Sequence, residues 1–345
     1  MKMVFCLNRL IYVPLEDLEM RYTSLQNKLT KSAFRKAGFK IIEVKGQPLS
    51  NEIKTGAFLD SNSTTHFKAT QIAEMARMFN SNKIKNNDIF YFADLWFPGI
   101  ESLMYMASFN GISIKIYGVL HAGSFTTTDF VNGMKEWAHW FELSILKMCD
   151  GIFLGSEQTR QDIIKEFNPE FVELKKLHAT GLAFNSKSLL QYKSVKKENI
   201  IVFPHRLDKE KQPQLFKTLK LHFPEVNFIE TQKLKLPKKE YYKLLGKAKI
   251  VVSFSLQENF GYAILEACAL GCIPVLPNNK TTDYKYIFSK KFLYNDYNEA
   301  IKLIGNYLKA PCQFKFLEEV SKQYDNSMKR QIAVINGGYG FNCLC

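Results

Sequence analysis

Short apolar runs alternate along this chain with longer stretches in which apolar residues recur every three or four positions. The first pattern predicts buried strands and the second amphipathic helices. In the first half, residues 4–7, 11–13, 39–44, 88–92, 113–118 and 151–154 read as strands. Residues 17–36, 68–80, 99–109, 135–149 and 157–167 have helical spacing; Ile72, Met75, Ala76 and Phe79, for example, share one helix face. The second half repeats the alternation. Strands are expected at 199–203, 226–230, 249–253 and 273–276, and helices at 213–222, 239–247, 262–270 and 298–308. Strands separated by helices of roughly 10–15 residues imply parallel sheets covered on both faces. The stretch 183–197 is polar, has no clear period and reads as a linker. With 345 residues the chain is long enough for two α/β domains, one large α/β domain being the alternative.

Composition leaves that picture standing. Apolar residues make up 46% and charged residues 23%, as in a folded globular protein. No apolar run reaches the roughly 18–20 residues of a membrane span. Residues 1–6 open no long apolar segment with a small-residue cleavage site, so no secretory signal is expected. The cysteines are scattered without C-x-x-C spacing, which fits a reducing compartment and argues against a disulfide framework or zinc site. The expected location is the cytoplasm, or the host cytoplasm if the protein is viral. The Gly-rich tail, 337–345, does not form a prenylation box.

The net charge of +14 attracts polyanions: nucleic acid, anionic lipid or teichoic polymers. However, 40 of the 47 basic residues are Lys, and Asn, Ile and Phe are abundant. An AT-rich genome gives the same bias without any polyanion partner.

Chemistry is concentrated in two segments of the second half. The first is Ser253-Phe-Ser-Leu-Gln-Glu258-Asn259-Phe260-Gly261-Tyr262, continuing through Glu266 to Gly271 and Val275. It reads strand, glycine turn, helix, glycine stop, strand. Ligands of open α/β sheets bind beyond the carboxyl ends of the strands. Gly261 permits close backbone approach, and a helix N-terminus behind it suits a diphosphate. Glu258 and Glu266, eight residues apart, are acceptors suited to the hydroxyl pairs of a ribose or hexose. The second segment is Ile200-Ile-Val-Phe-Pro204-His205-Arg206, followed by Lys211 and Pro213. Here two cations five residues apart follow a strand end, with Lys209 as the other candidate for the second. Fixed cations stabilise a departing nucleoside diphosphate.

Together these strings resemble the retaining GT-B glycosyltransferases, especially glycosyltransferase family 4. Glu258 and Glu266 match the E-x7-E pattern, and ENFGYAILEACALGCIPV is similar to E-G-F-G-x-x-x-x-E-A-x-A-x-G-x-P-V, with Asn259 where glycine is usual. Pro204 and His205 likewise replace a common glycine, and P-H-R-x-x-x-x-K-x-P resembles a subgroup that includes tRNA-queuosine mannosyltransferases and phage glycosyltransferases. Cys149-Asp150-Gly151-Ile152 through Ser156, and Thr180-Gly181-Leu182, are similar to further segments of the family. Ser156 reads as a helix cap. The resemblance spans residues 110–280 and does not extend to the first hundred.

That resemblance implies two Rossmann-like doubly wound domains facing a cleft: residues 1–182 for the acceptor, 183–311 for the nucleotide sugar, and 312–345 as a helix returning to the first domain plus a loose tail. The returning helix is expected at 314–324. Glu266 would hold the nucleotide ribose. Glu258 and the backbone of Asn259, Phe260 and Gly261 would meet sugar and phosphate, and Arg206 and Lys211 would neutralise the diphosphate. His121, in Tyr117-Gly118-Val-Leu-His121-Ala-Gly123, stands where relatives often carry a histidine near the reacting sugar. A structural histidine at a strand end is the competing reading. No D-x-D stands at a strand end, so no metal and no cofactor is expected, and the nucleotide sugar is a co-substrate. The expected reaction is retaining transfer to a hydroxyl, with a modified base in phage DNA as acceptor. The alternatives are a lipid or surface polysaccharide, or an inactive nucleic-acid-binding module on the same fold.

Overall fold

The computed structural model describes residues 8–17, 22–49, 61–127, 129–168, 170, 172–309, 314–315, 320 and 325–337. Two α/β units divide the chain. One comprises Met1–Ala183 with Ser327–Cys345, the other Phe184–Asn326.

The first unit carries β1 (Arg9–Val13), α1 (Tyr22–Lys36), β2 (Lys40–Glu43), α2 (Ser61–Asn80), β3 (Asp88–Phe92), α3 (Glu101–Phe109), β4 (Ile114–Leu120), α4 (Lys135–Met148), β5 (Gly151–Leu154), α5 (Glu157–Glu166) and β6 (Leu177–Ala179). The sheet runs β2-β1-β3-β4-β5-β6 with parallel pairings. Ile11, Phe90, Phe92, Ile116 and Ile152 fill one face of its core against Met75, Leu103 and Ile145 of the helices. Ser156 caps α5 by accepting from Thr159 N at 3.0 Å, as the motif predicts.

The second unit carries β7 (Glu198–Phe203), α6 (Pro213–Leu219), β8 (Asn227–Glu230), α7 (Lys238–Lys247), β9 (Ala248–Val252), α8 (Tyr262–Ala269), β10 (Ile273–Pro277), α9 (Tyr284–Ile287), β11 (Leu293–Tyr294) and α10 (Tyr297–Lys309). Its sheet is again parallel, in the order β11-β10-β9-β7-β8. The chain returns to the first unit as α11 (Ser327–Ile335). There Gln331 accepts from the buried Tyr91 hydroxyl at 2.7 Å and donates to Thr180 Oγ1 and Gly181 O, both at 3.1 Å.

Several boundaries differ from the sequence reading. The predicted strand 4–7, nearly all of the predicted helix 314–324 and the tail beyond Gly337 lie outside the described residues. α2 begins seven residues early, because its first turns are Ser/Thr-rich and carry no apolar period. β6 and β11, of three and two residues, are too short for any periodicity to register. The stretch read as a linker belongs mostly to the second unit. Ser186–Tyr192 forms a 3-10 turn that packs on α7 and α8, with Ser186 and Leu189 buried. Its burial depends on neighbours distant in sequence, which local polarity does not reveal.

Candidate donor site

In the second unit, strand order reverses between β7 and β9. Ligands of open α/β sheets settle at the carboxyl ends beside such a reversal. The two sequence motifs leave the sheet there. After Pro204 ends β7, His205 and Arg206 lead into a 3-10 turn, Lys209–Lys211, which closes with Gln212 in left-handed geometry. That turn carries Lys211 inward. Its Nζ donates to Gln257 O at 2.8 Å and to Glu258 Oε2 at 3.2 Å, both on the loop after β9. Lys209 is exposed, so Lys211 is the cation that meets the motif carboxylate.

Arg206 follows another course. Its guanidinium bridges Asp208 at 2.8 Å and Glu210 at 2.9 Å, both on its own loop. The structure therefore unites Lys211 with Glu258 and holds Arg206 beside them on local carboxylates.

Gly261, at φ 74°, turns the chain into α8. A Cβ there would stand 3.3 Å from Glu258 Cγ, so the turn needs glycine for its backbone and for the glutamate packed against it. Asn259 is not among the residues with positive φ. The left-handed step falls on Gly261, and asparagine in place of the family's glycine leaves the turn intact. Phe260 is buried against the Tyr262 ring, with centroids 4.6 Å apart.

Glu266 lies one turn into α8 and is only 3% exposed. Tyr242 donates to it at 2.8 Å, and Lys238 Nζ stands 2.9 Å away. Both residues come from α7, four positions apart and hence on one helix face. Lys238 also lies 5.0 and 4.9 Å from the ring centroids of Tyr241 and Tyr242. Burial, and then the Glu266 charge, push the Tyr242 hydroxyl far above its ordinary range, so it acts here as a donor.

The electrostatics separate the groups further. Burial alone would raise the Glu258 carboxyl, but Lys211, aided by Arg206, holds it below the usual range. Burial, reinforced by Lys211, pulls His205 down to about 3 despite Glu258 nearby. The site thus holds an ionised Glu258, a paired lysine and a neutral imidazole.

His121 stands at the end of β4 in the first unit. Its Nε2 lies 2.9 Å from Ala93 O and 3.4 Å from Gln26 Nε2, and Tyr22 packs against its ring. Burial lowers its pKa and favours the neutral ring. Beside it, Lys68 pairs with Asp94 at 2.9 Å. Glu142 accepts from Trp96 Nε1 at 2.9 Å and from both the backbone and hydroxyl of Ser124. These carboxyl-end residues escaped the sequence reading because no compact string joins them. Lys238 and Tyr242 did carry a legible signal in their four-residue spacing.

Comparison with known proteins supplies the frame for this geometry. No protein-family model matches the chain. A tRNA-queuosine alpha-mannosyltransferase of Drosophila melanogaster is 32% identical over a stretch covering 33% of this chain and 37% of that protein. The matched part is thus well under half the length of the curated relative. Among solved structures, S. aureus TarM in complex with fondaparinux, alpha-GlcNAc-glycerol and UDP is similar at TM-score 0.56 and 16% identity, covering 77% of this chain and 59% of that one. An alpha-glucosyltransferase in complex with UDP-glucose and DNA containing an abasic site is similar at TM-score 0.56 and 14% identity, covering 95% of this chain and 98% of that one. The fold is that of the GT-B glycosyltransferases, and the likeness to the subgroup carrying P-H-R stands.

Proposed function

We propose that this protein is a glycosyltransferase that moves a sugar from a nucleoside-diphosphate donor to a hydroxyl of a nucleic-acid acceptor. The observation that carries the reading is the Lys211–Glu258 pair at the carboxyl ends of β7 and β9, with Glu266 held by Lys238 and Tyr242 on the next helix. In this reading Glu266 takes the nucleotide ribose, and Glu258 with the Asn259–Gly261 backbone meets the sugar. Lys211 and Arg206 stabilise charge on the leaving diphosphate. His121 serves the acceptor side, and the anomeric configuration is retained.

Three features support nucleic acid as the acceptor. The net charge is +14. Helix α4 exposes Trp137 and Trp140 to 51% and 69%, and α3 exposes Tyr105 and Phe109, flat rings of the kind on which bases stack. One similar protein is named for tRNA-queuosine, and another is an alpha-glucosyltransferase seen in complex with DNA. A hydroxymethylated pyrimidine in phage DNA is the first acceptor to try. The tRNA-queuosine relative favours modified tRNA as the second.

The test is release of nucleoside diphosphate from UDP- and GDP-sugars, with mass spectrometry of hydroxymethylated DNA and tRNA for the added sugar. Glu266→Ala is expected to weaken nucleotide-sugar binding in calorimetry while remaining folded. Failure of the wild-type chain to bind or consume any nucleotide sugar would overturn the reading.

A further inference from the structure

Among the buried polar atoms of the second unit that lack a hydrogen-bond partner are His205 Nε2, Ser255 Oγ and Thr282 Oγ1. His205 is 6% exposed, and Ser255 and Thr282 are fully buried. They follow β7, β9 and β10, three adjacent strands, at their carboxyl ends. A buried polar atom left unsatisfied carries its desolvation penalty uncompensated. Three of them gathered at the strand-order reversal call for a common explanation.

The loops that carry them are laced together around Glu258. Leu256 N donates to Glu210 O at 2.9 Å, and Asn279 Nδ2 donates to Ser255 O at 3.0 Å. Thr281 donates its hydroxyl to Leu256 O, and Thr282 forms a backbone bridge with Glu258. His205 Nδ1 lies 3.9 Å from Glu258 Oε2. Lys211, the adjacent cation, is already engaged by Gln257 O and Glu258.

The chemistry of the three groups selects among ligands. A neutral imidazole offers one donor and one acceptor, and each hydroxyl both gives and receives. A phosphate oxygen only accepts, and it is best matched by cations. Sugar hydroxyls both give and receive, so they match the unpaired groups. We infer that His205, Ser255 and Thr282 form a hydroxyl-reading set beside Glu258, which selects the sugar of the donor. His205 is its distinctive member, because it stands where the family pattern has glycine and thus no side chain to contribute.

This inference rests on the glycosyltransferase reading, and the experiment separates the two. Full-length protein is titrated with UDP, UDP-glucose, UDP-N-acetylglucosamine, GDP and GDP-mannose. The same titrations follow for His205→Phe, His205→Gln, Ser255→Ala and Thr282→Val, with melting curves to verify folding. The expected result is that Ser255→Ala, Thr282→Val and His205→Phe bind the bare diphosphates within about twofold of wild type. Each loses about tenfold to a hundredfold of the extra affinity conferred by the sugar. His205→Gln, which retains a neutral donor, recovers part of it. The apo melting temperatures hold or rise, because an unpaired buried group has been removed. Variants that melt higher yet keep the full sugar contribution would overturn the inference and assign these atoms to internal water. Equal loss of diphosphate and sugar nucleotide would also overturn it, in favour of a structural role. A wild-type chain that binds none of the probes removes the glycosyltransferase reading itself, and the hydroxyl set with it.

Discussion

Lys211 and Glu258 show how two residues far apart in the chain set one another's state. Neither would be comfortable alone where they sit. Removing one partner of a buried pair typically costs about 3–5 kcal/mol, because the other charge is left uncompensated. The same pair sets a pH dependence. The Glu258 carboxyl is held below its ordinary value of 4.5, so its contribution to stability is full above that value and fades as pH falls through the lowered one. His205 acts in the same direction over a wider window. Its folded-state value of about 3 lies below the ordinary 6.5, so the unfolded chain takes up the proton first as pH falls below 6.5. Lys211→Met is expected to lower the melting temperature at pH 7 more than at pH 4. In that variant burial, which raises the Glu258 pKa, loses its main opponent. Its stabilising slope in the acid window should shrink or reverse. Melting curves of both proteins from pH 3.5 to 7.5 measure this, and parallel curves would contradict the assigned pairing.

At the scale of elements, α7 and α8 form the floor of the site, and their ends are tied by one half-buried side chain. Lys197 Nζ donates to Gly246 O and Leu270 O, both at 2.7 Å, and more weakly to Leu245 O. The last carbonyls of a helix have no internal partner and favour a cation. Lys197 supplies one to two helices at once, although burial lowers its own pKa. Gly271, at φ 90°, completes the stop after α8: it donates to Cys268 O, and Cys272 donates to Ala267 O at 3.0 Å. Lys197→Met is expected to destabilise the second unit by about 1–3 kcal/mol. Its urea midpoint should fall while the denaturant slope stays the same. An unchanged midpoint would mean that the carbonyls find other partners. The sequence reading placed Lys197 at the end of a linker, where nothing local signals that two helix ends converge on it.

For the molecule as a whole, the question is whether the excess of lysine is used. No helix among the described residues is long and apolar enough to cross a membrane. A nucleic-acid acceptor makes two separable demands on the surface. Phosphate contacts give a salt dependence of about −0.9 in log affinity against log salt for each contact on duplex DNA, and about −0.7 on single strands. Stacking on exposed rings is much less salt-dependent and is worth about 1–3 kcal/mol per base. Trp140→Ala is therefore expected to lower single-strand affinity roughly tenfold or more with an unchanged salt slope. Fluorescence anisotropy with labelled single-stranded and duplex DNA, at several salt concentrations, distinguishes the two demands. Negligible affinity at low salt would remove nucleic acid from consideration and leave a glycan or lipid acceptor.

The alternation of apolar runs and helical spacings determined the parallel α/β layers, because burial on both faces of a sheet is written directly into local composition. The string from Glu258 to Gly271 was legible for the same reason: its turn, helix and stop are local events, each governed by a glycine or a strand end. What the tertiary structure alone decided is which side chains meet. It brought Lys211 to Glu258 across 47 positions, and gave Glu266 partners 24 and 28 positions away. It also spent Arg206 on the carboxylates of its own loop. Strand order brings these loops side by side, and the pairing of β7 with β9 depends on the whole sheet. No run of neighbouring residues records that order, so the partners of a buried charge emerge only when the sheet is complete.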